Sequence, residues 1–304
     1  MKTFATLVGA VVLLALLALA WTFTAETLPV TGDYAVKIPA ATPPPQMKLA
    51  ALFAGTMDSQ AMFAYRGGKP GESRVFGMGG ILVRHPQGTL LFDTGFGHNV
   101  DQHFLTTPFL MQATSKYHKE TPVAEQLKAA GISLSGIVLT HAHWDHVSGI
   151  EDLPGVPVWV DRAEMDFIHS DAPMTALMRS FNGVQYQVYD FKDGPYLGFD
   201  HSLDVFGDGS VVLVPAAGHT PGSIIAFVST PDGKRYALLG DLVWQKEGLE
   251  IPAERPWLPR RMVDWDEQAV RGLIVRMYRL QQAMPNLIMV PAHDRRVWEQ
   301  LPKL

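Results

Sequence analysis

A layered α/β domain with mixed β-sheets is the fold class this sequence predicts, and three observations lead to it. Eight short apolar runs bounded by turn residues read as strands, at 81–83, 89–92, 137–139, 156–160, 211–214, 224–228, 236–239 and 287–290. Helical signals fall between them. Thr121 is placed as an N-cap with Pro122 at the first helical position and a stop at Gly131, while Asp264 and Glu267 have capping-box spacing and open an amphipathic helix to about Met284. Finally, 304 residues at 47% hydrophobic and 18% charged suffice to bury a full core. Many strands with interspersed helices imply sheets covered on their outer faces.

The chain divides into three parts. Residues 1–23 contain an uncharged run, Thr3 to Phe23, that follows Lys2 and is long enough to cross a bilayer as an apolar helix. Ala18-Leu19-Ala20 also resembles the small-residue site at which a signal peptide is cleaved, so signal peptide and transmembrane anchor both stand. Either way the lone Lys2 favours export, to a periplasmic or membrane-anchored location, with residues 3–23 as the route of any membrane attachment. Residues 24–46 read as a proline-rich linker, punctuated by Pro29, Pro39 and Pro43 to Pro45. The globular domain is expected from 47 to 304.

Composition excludes several classes of function. A net charge of −5, with lysine and arginine scattered, gives no basic surface for nucleic acid. With no cysteine, there is no disulfide, no thiolate metal site and no cysteine nucleophile. Any metal must be held by imidazole and carboxylate. Oligomeric state is not readable.

The chemistry concentrates after the strands. His141, His143, Asp145 and His146 lie within six residues behind the 137–139 strand. Alternation points His141 and His143 the same way, and Asp145 and His146 come round a turn from the other side, so one segment can serve two adjacent metals. Three more candidates follow later strands: His219 in Gly-His-Thr-Pro-Gly, Asp241 after Leu239-Gly240, and His293 in Pro-Ala-His-Asp. Imidazole and carboxylate suit zinc and other borderline divalent ions.

The order Asp93-Thr94-Gly95, the His-x-His-x-Asp-His run, His219, Asp241 and His293 resembles the metallo-β-lactamase superfamily, over about residues 47–300. The resemblance implies a four-layer αββα sandwich with a two-metal site on one edge. It implies that His141, His143 and His219 hold the first metal, and Asp145, His146 and His293 the second, with Asp241 bridging. Asp93 would orient the ligand loop from behind. Two divalent ions, zinc by default, would share a bridging hydroxide that attacks a carbonyl or phosphorus, with Asp145 both ligand and catalytic helper.

Departures from the patterns of individual branches narrow the substrate. His143 stands where flavodiiron oxidoreductases carry a glutamate, and Asp241 where true β-lactamases of the superfamily lack an aspartate. Nuclease-like members handle polyanions, and glyoxalase II has basic groups for glutathione. The quorum-quenching N-acyl homoserine lactonase group is most similar, and Asp161-Arg162-Ala163-Glu164 also looks like those enzymes. One difference stands out: that group often has a tyrosine three residues after the bridging aspartate, and this chain has Trp244. The expected activity is hydrolysis of a lactone, ester or related carbonyl compound, a small molecule with an apolar tail. A thioesterase or phosphodiesterase on the same scaffold and a catalytically silent metal-binding module are the alternatives. Trp144, Trp244 and Phe96 are expected to line the substrate pocket, and His98 to face the cleft.

Overall fold

In a computed structural model that describes residues 2–32 and 35–304, successive strand residues go to different cores. Leu90 and Phe92 face one apolar cluster and Leu91 the other, and Ile81 and Val83 alternate with Leu82 in the same way. Strands buried on both faces read as continuous apolar runs, which is why the sequence shows them so plainly. Seven strands form the first sheet: β1 (Lys48–Gln60), β2 (Ser73–His85), β3 (Gly88–Phe92), β4 (Lys116–Lys119), β5 (Gly136–Val138), β6 (Val158–Asp161) and β7 (Tyr186–Tyr189), in the order β4-β1-β2-β3-β5-β6-β7. The second contains β8 (Leu203–Asp204), β9 (Val211–Pro215), β10 (Ile224–Ser229), β11 (Arg235–Leu238) and β12 (Leu287–Val290), in the order β12-β11-β10-β9-β8.

A core containing Leu49, Val83, Leu213, Val228 and Trp298 lies between the sheets. The outer face of the first sheet packs on the helices that follow its strands, through Leu91, Leu127, Ile168 and Leu177. That of the second packs on the helix Glu267–Ala283, through Phe227, Ile274 and Met277. The result is helix, sheet, sheet, helix, the αββα sandwich.

Strand direction sets where the chemistry falls. β3 and β5 are parallel, as are β11 and β12, and β9 and β11 each run antiparallel to the β10 between them. The carboxyl ends of β3, β5, β9, β11 and β12 all deliver candidate residues, from Asp93 to His293. β1 ends on this edge too, because β1 and β3 are both antiparallel to β2.

Both expected caps are displaced. Pro122, extended at ψ 147°, is itself the residue before the helix Val123–Ala129, and no side chain caps it; the Thr121 carbonyl accepts from Gln126 Nε2 instead. The long helix starts at Glu267, capped by Asp266, whose Oδ1 accepts from the Gln268 and Ala269 amides. Asp264 is extended and serves the site described below. Residues 24–46 contain no helix or strand among those described, and they lie against the domain. Leu28 N bonds Pro252 O, Thr42 N bonds Asp208 O, and Leu28 and Val36 pack on the core beside the long helix. Ahead of them runs the helix α1 (Lys2–Trp21), with Thr3–Trp21 long and apolar enough to cross a membrane and none of it buried.

Candidate metal centre

Three groups of side chains come close enough to hold metal ions: His141, His143 and His219; Asp145, His146 and His293; and His141, His146 and Asp241. Within each group the ligand atoms lie within 4.8 Å of one another. His143 ends the loop after β5 and opens a single helical turn, Trp144–Val147, that swings Asp145 and His146 round to the second group. Asp241 Oδ1 stands 3.2 Å from His146 Nε2 and 3.0 Å from His293 Nε2, while its Oδ2 is 3.5 Å from His219 Nε2. It therefore touches both sides of the cluster.

Three of the five imidazoles are oriented from behind. Asp93 takes the Thr140 amide on Oδ1, and the Thr140 hydroxyl and His146 Nδ1 on Oδ2. His293 Nδ1 donates to Gly77 O, and His219 Nδ1 to Asp264 Oδ1, which Arg255 also contacts. Such bonds fix tautomer and ring plane and leave Nε2 of these three rings turned into the cluster, where His143 presents Nδ1, 3.0 Å from His219 Nε2. Glu164 ties two ligand loops together, because Oε1 accepts from the Ala142 amide, between two histidines, and Oε2 from Thr220 Oγ1 and the Gly222 amide behind His219.

The donor set fits divalent ions. His141 Nε2, His146 Nε2 and Asp241 Oδ1 are buried without a hydrogen-bond partner, a costly arrangement unless something else satisfies them. The electrostatics of the bare cluster agree. Burial and the neighbouring imidazoles hold His141 and His143 well below the ordinary histidine range, which favours the neutral imidazole that a metal ion needs. Burial also pulls on His146 and His293, but Asp93, Asp241 and Asp145 outweigh it for His146, and Asp241 and Asp145 for His293, so both are raised. His293 and His146 in turn overcome the burial of Asp241 and keep it well below the carboxylate range. A cluster of carboxylates that calls for positive charge is the electrostatic counterpart of a cation site.

The cleft above the cluster has a volume of about 160 Å³ and is walled by Met57, Phe76, Met78, Met111, Trp144, Met174, Trp244 and Val263. A roomier hollow of about 560 Å³, lined by Asn99, His103 and Glu151, holds none of the ligand groups. Trp144 and Trp244 line this cleft. Trp244 also spends its indole N–H on Asp241 Oδ2, at 2.8 Å, and packs edge-on against Phe76. Phe96 does not reach the cleft: it is 1% exposed, packed between Trp144 and Tyr117 beneath the wall. His98 faces away as well, pairing at the surface with Glu125 and Asp152.

A family model described as the metallo-beta-lactamase superfamily matches residues 81–279, more than half of the chain. The chain belongs to that superfamily. A probable metallo-hydrolase of Mycobacterium tuberculosis is 31% identical to this superfamily member over 240 residues, covering 70% of this chain and 73% of the relative. An N-acyl homoserine lactonase of Agrobacterium fabrum is 23% identical over 202 residues, covering 61% and 68%. Among solved structures, a B. thuringiensis protein with N-decanoyl-L-homoserine bound at its active site superposes with a TM-score of 0.65 at 19% identity, covering 84% of this chain and 96% of that one. A dizinc quorum-quenching lactonase superposes at 0.55 and 17% identity, covering 84% and 90%. At these identities the structural matches establish the metallo-beta-lactamase fold. The family model and the metallo-hydrolase homologue make the chain a metal-dependent hydrolase of the superfamily.

Asp264 and Arg255 had little signal as parts of the site, and Glu164 stood out only within Asp161-Arg162-Ala163-Glu164, with no sign of its place between the ligand loops. The spacing of Asp264 to Glu267 imitates a cap, and Glu164 follows β6 in the first turn of a short helix, where a glutamate is ordinarily a surface residue. The four methionines of the wall come from four separate segments that no local pattern connects.

Proposed function

We propose that this metallo-hydrolase is dinuclear and opens a lactone, ester or related neutral carbonyl compound carrying an apolar tail. His141, His143 and His219 would hold one divalent ion and Asp145, His146 and His293 the other, with the Asp241 carboxylate placed between the two groups. When bound, the two ions supply Lewis acidity for the carbonyl and an activated water near neutral pH. Zinc is the default from the donor set. The protein's own side chains do the rest. Asp93, Asp264 and Gly77 O keep the imidazoles aimed, and Trp244 Nε1 holds the Asp241 carboxylate in place. Asp145, the least buried ligand, stands at the cleft and can pass a proton to the leaving group.

The observation that carries the substrate class is the cleft lining. Among the described residues no lysine or arginine lines it, while methionines and aromatics do. Phosphodiesters and nucleic acids need cationic contacts that such a wall lacks, whereas an acyl chain is served by apolar area. Trp244 separates this cleft from one with a tyrosine hydroxyl at that place, since its only donor is already given to Asp241. A panel of acyl-homoserine lactones, simple esters, thioesters and phosphodiesters, run with metal-loaded enzyme, tests the proposal. Lactones or esters with longer acyl chains are expected to give the highest kcat/KM, and turnover of phosphodiesters alone would overturn it. Metal analysis should give about two ions per chain. The apolar N-terminal helix further supports export of the enzyme.

A further inference from the structure

The carboxyl end of α1 does not stop in solvent. Arg66, only 4% exposed, donates Nε to Thr24 O at 3.2 Å and Nη2 to Trp21 O at 3.1 Å, and its guanidinium lies 4.8 Å from the centre of the Trp21 ring. Helix carboxyl ends leave carbonyls without partners and carry partial negative charge, so a buried cation there meets both needs. Glu26 and Glu254 flank the same guanidinium. Next to it, the Gly67 amide donates to Phe23 O, and Phe23 packs edge-on against Phe63. A Cβ on Gly67, at φ +88°, would come within 2.8 Å of the Ala25 Cβ, so the approach of the two segments requires glycine there. The exit turn belongs to the joint as well, with Thr22 bonded to Leu19 O through both N and Oγ1, and Phe23 N to Ala20 O. Cleavage after Ala20 would cut these bonds and set a charged amino group on Trp21 beside the Arg66 guanidinium.

The joint also has a definite place in the sandwich. α2 (Ala61–Ala64) and Arg66 follow the end of β1, on the edge that carries the metal cluster. Around them Phe63, Ile251, Trp257 and Leu258 are 36–44% exposed. Pro252, beside Ile251, accepts from Leu28, and Arg260, in the helix Trp257–Val263, pairs with Glu254 of the joint. The nineteen residues Thr3–Trp21 span about 28 Å at 1.5 Å each, close to the roughly 30 Å of a bilayer's hydrocarbon core. Aromatic residues at the exit suit the lipid–water boundary.

We propose that α1 is a retained membrane anchor clamped to the catalytic domain by Arg66, and that the clamp lays the Phe63, Ile251, Trp257 and Leu258 face on the lipid surface. Its occupant is therefore the bilayer into which α1 inserts, and the metal edge of the sandwich faces that bilayer. This holds whatever compound the enzyme hydrolyses.

The absence of cysteine makes the test direct, because one introduced thiol reports one position. A nitroxide is attached to full-length Leu258→Cys, and separately to Lys234→Cys in the β10–β11 turn at the opposite edge, each in vesicles of phosphatidylcholine and phosphatidylglycerol. The ratio of oxygen to nickel-chelate accessibility is expected to be several-fold higher at 258 than at 234. In an Arg66→Ala background the value at 258 should fall to that at 234, although the protein still floats with the vesicles. Trp21→Ala, which loosens the clamp from the helix side without entering the domain core, should do the same if the arginine variant misfolds. Intact mass of the chain from expressing cells should include residues 2–20, in the membrane fraction. A soluble chain beginning at Trp21, equal ratios at the two positions, or exclusion of both reagents at 258 as by a protein partner would each overturn the proposal.

Discussion

Single side chains decide the chemistry. His143 and Asp241 are expected to be indispensable, one as a ligand and one as the group that touches both halves of the cluster. His143→Ala and Asp241→Ala should each lower kcat/KM by at least about a thousandfold, equivalent to roughly 4 kcal/mol, with circular dichroism unchanged. Full activity in either purified variant would remove the assignment. Glu164 acts at one remove, and its burial gives it a pH signature. Desolvation lifts its carboxyl to about 7, against the hydrogen bonds from Thr220 and Ala142 that favour the anion. The folded protein thus binds this proton more tightly than the unfolded chain does. That contribution to stability is complete below the ordinary glutamate range and is lost as pH rises through about 7. Glu164→Gln stays neutral, so its metal-free melting temperature should depend less on pH between about 4.5 and 7 than the wild type's. Parallel melting curves would show the carboxyl to be ionised throughout.

Elements are where sequence reading succeeded and failed for identifiable reasons. The buried strands were legible because both faces are apolar, and the ligands were legible because each follows such a strand. β1 was not, since its second half, Gly-Thr-Met-Asp-Ser-Gln, is polar and the strand carries a bulge at Phe53 and Gly55. β4, β7 and β8 are short strands whose identity depends on their neighbours. The cleft was the hardest part to foresee. Phe96 adjoins Asp93-Thr94-Gly95 in sequence yet points into the core, while Phe76 and the methionines arrive from remote segments. Loop contact makes a further prediction at this scale. Gly222, in the His219 loop, abuts Asp161 and the Glu164 amide at the start of the helix Arg162–Ile168, leaving no space for a Cβ. Gly222→Ala should push the two ligand loops apart. It should cost about 1–3 kcal/mol of stability and weaken metal retention, as measured by denaturant unfolding and by dialysis against a chelator.

At the scale of the whole molecule, the two sheets meet at an edge that is electrostatically incomplete by itself. Five imidazoles, with neighbouring ring centres 4.0–5.2 Å apart, and the carboxylates of Asp145 and Asp241 remain close only if something offsets their mutual repulsion and lost hydration. Ligands come from the ends of strands in both sheets, so an ion held there joins the halves of the sandwich and its binding energy is also folding energy. An ion present at a hundred times its Kd stabilises by about 2.7 kcal/mol per site, and for a domain of this size each kcal/mol moves the melting temperature by roughly 2–4 °C. Exhaustive chelation should therefore lower the melting temperature by about 5–10 °C per ion removed, with recovery on adding zinc back. His143→Ala should lose most of that zinc-dependent rise, while Lys234→Cys, at the opposite edge, should keep it in full. A melting temperature indifferent to chelator in the wild type would mean that the edge is held by protein contacts alone, and the cluster would then not be a resident metal site.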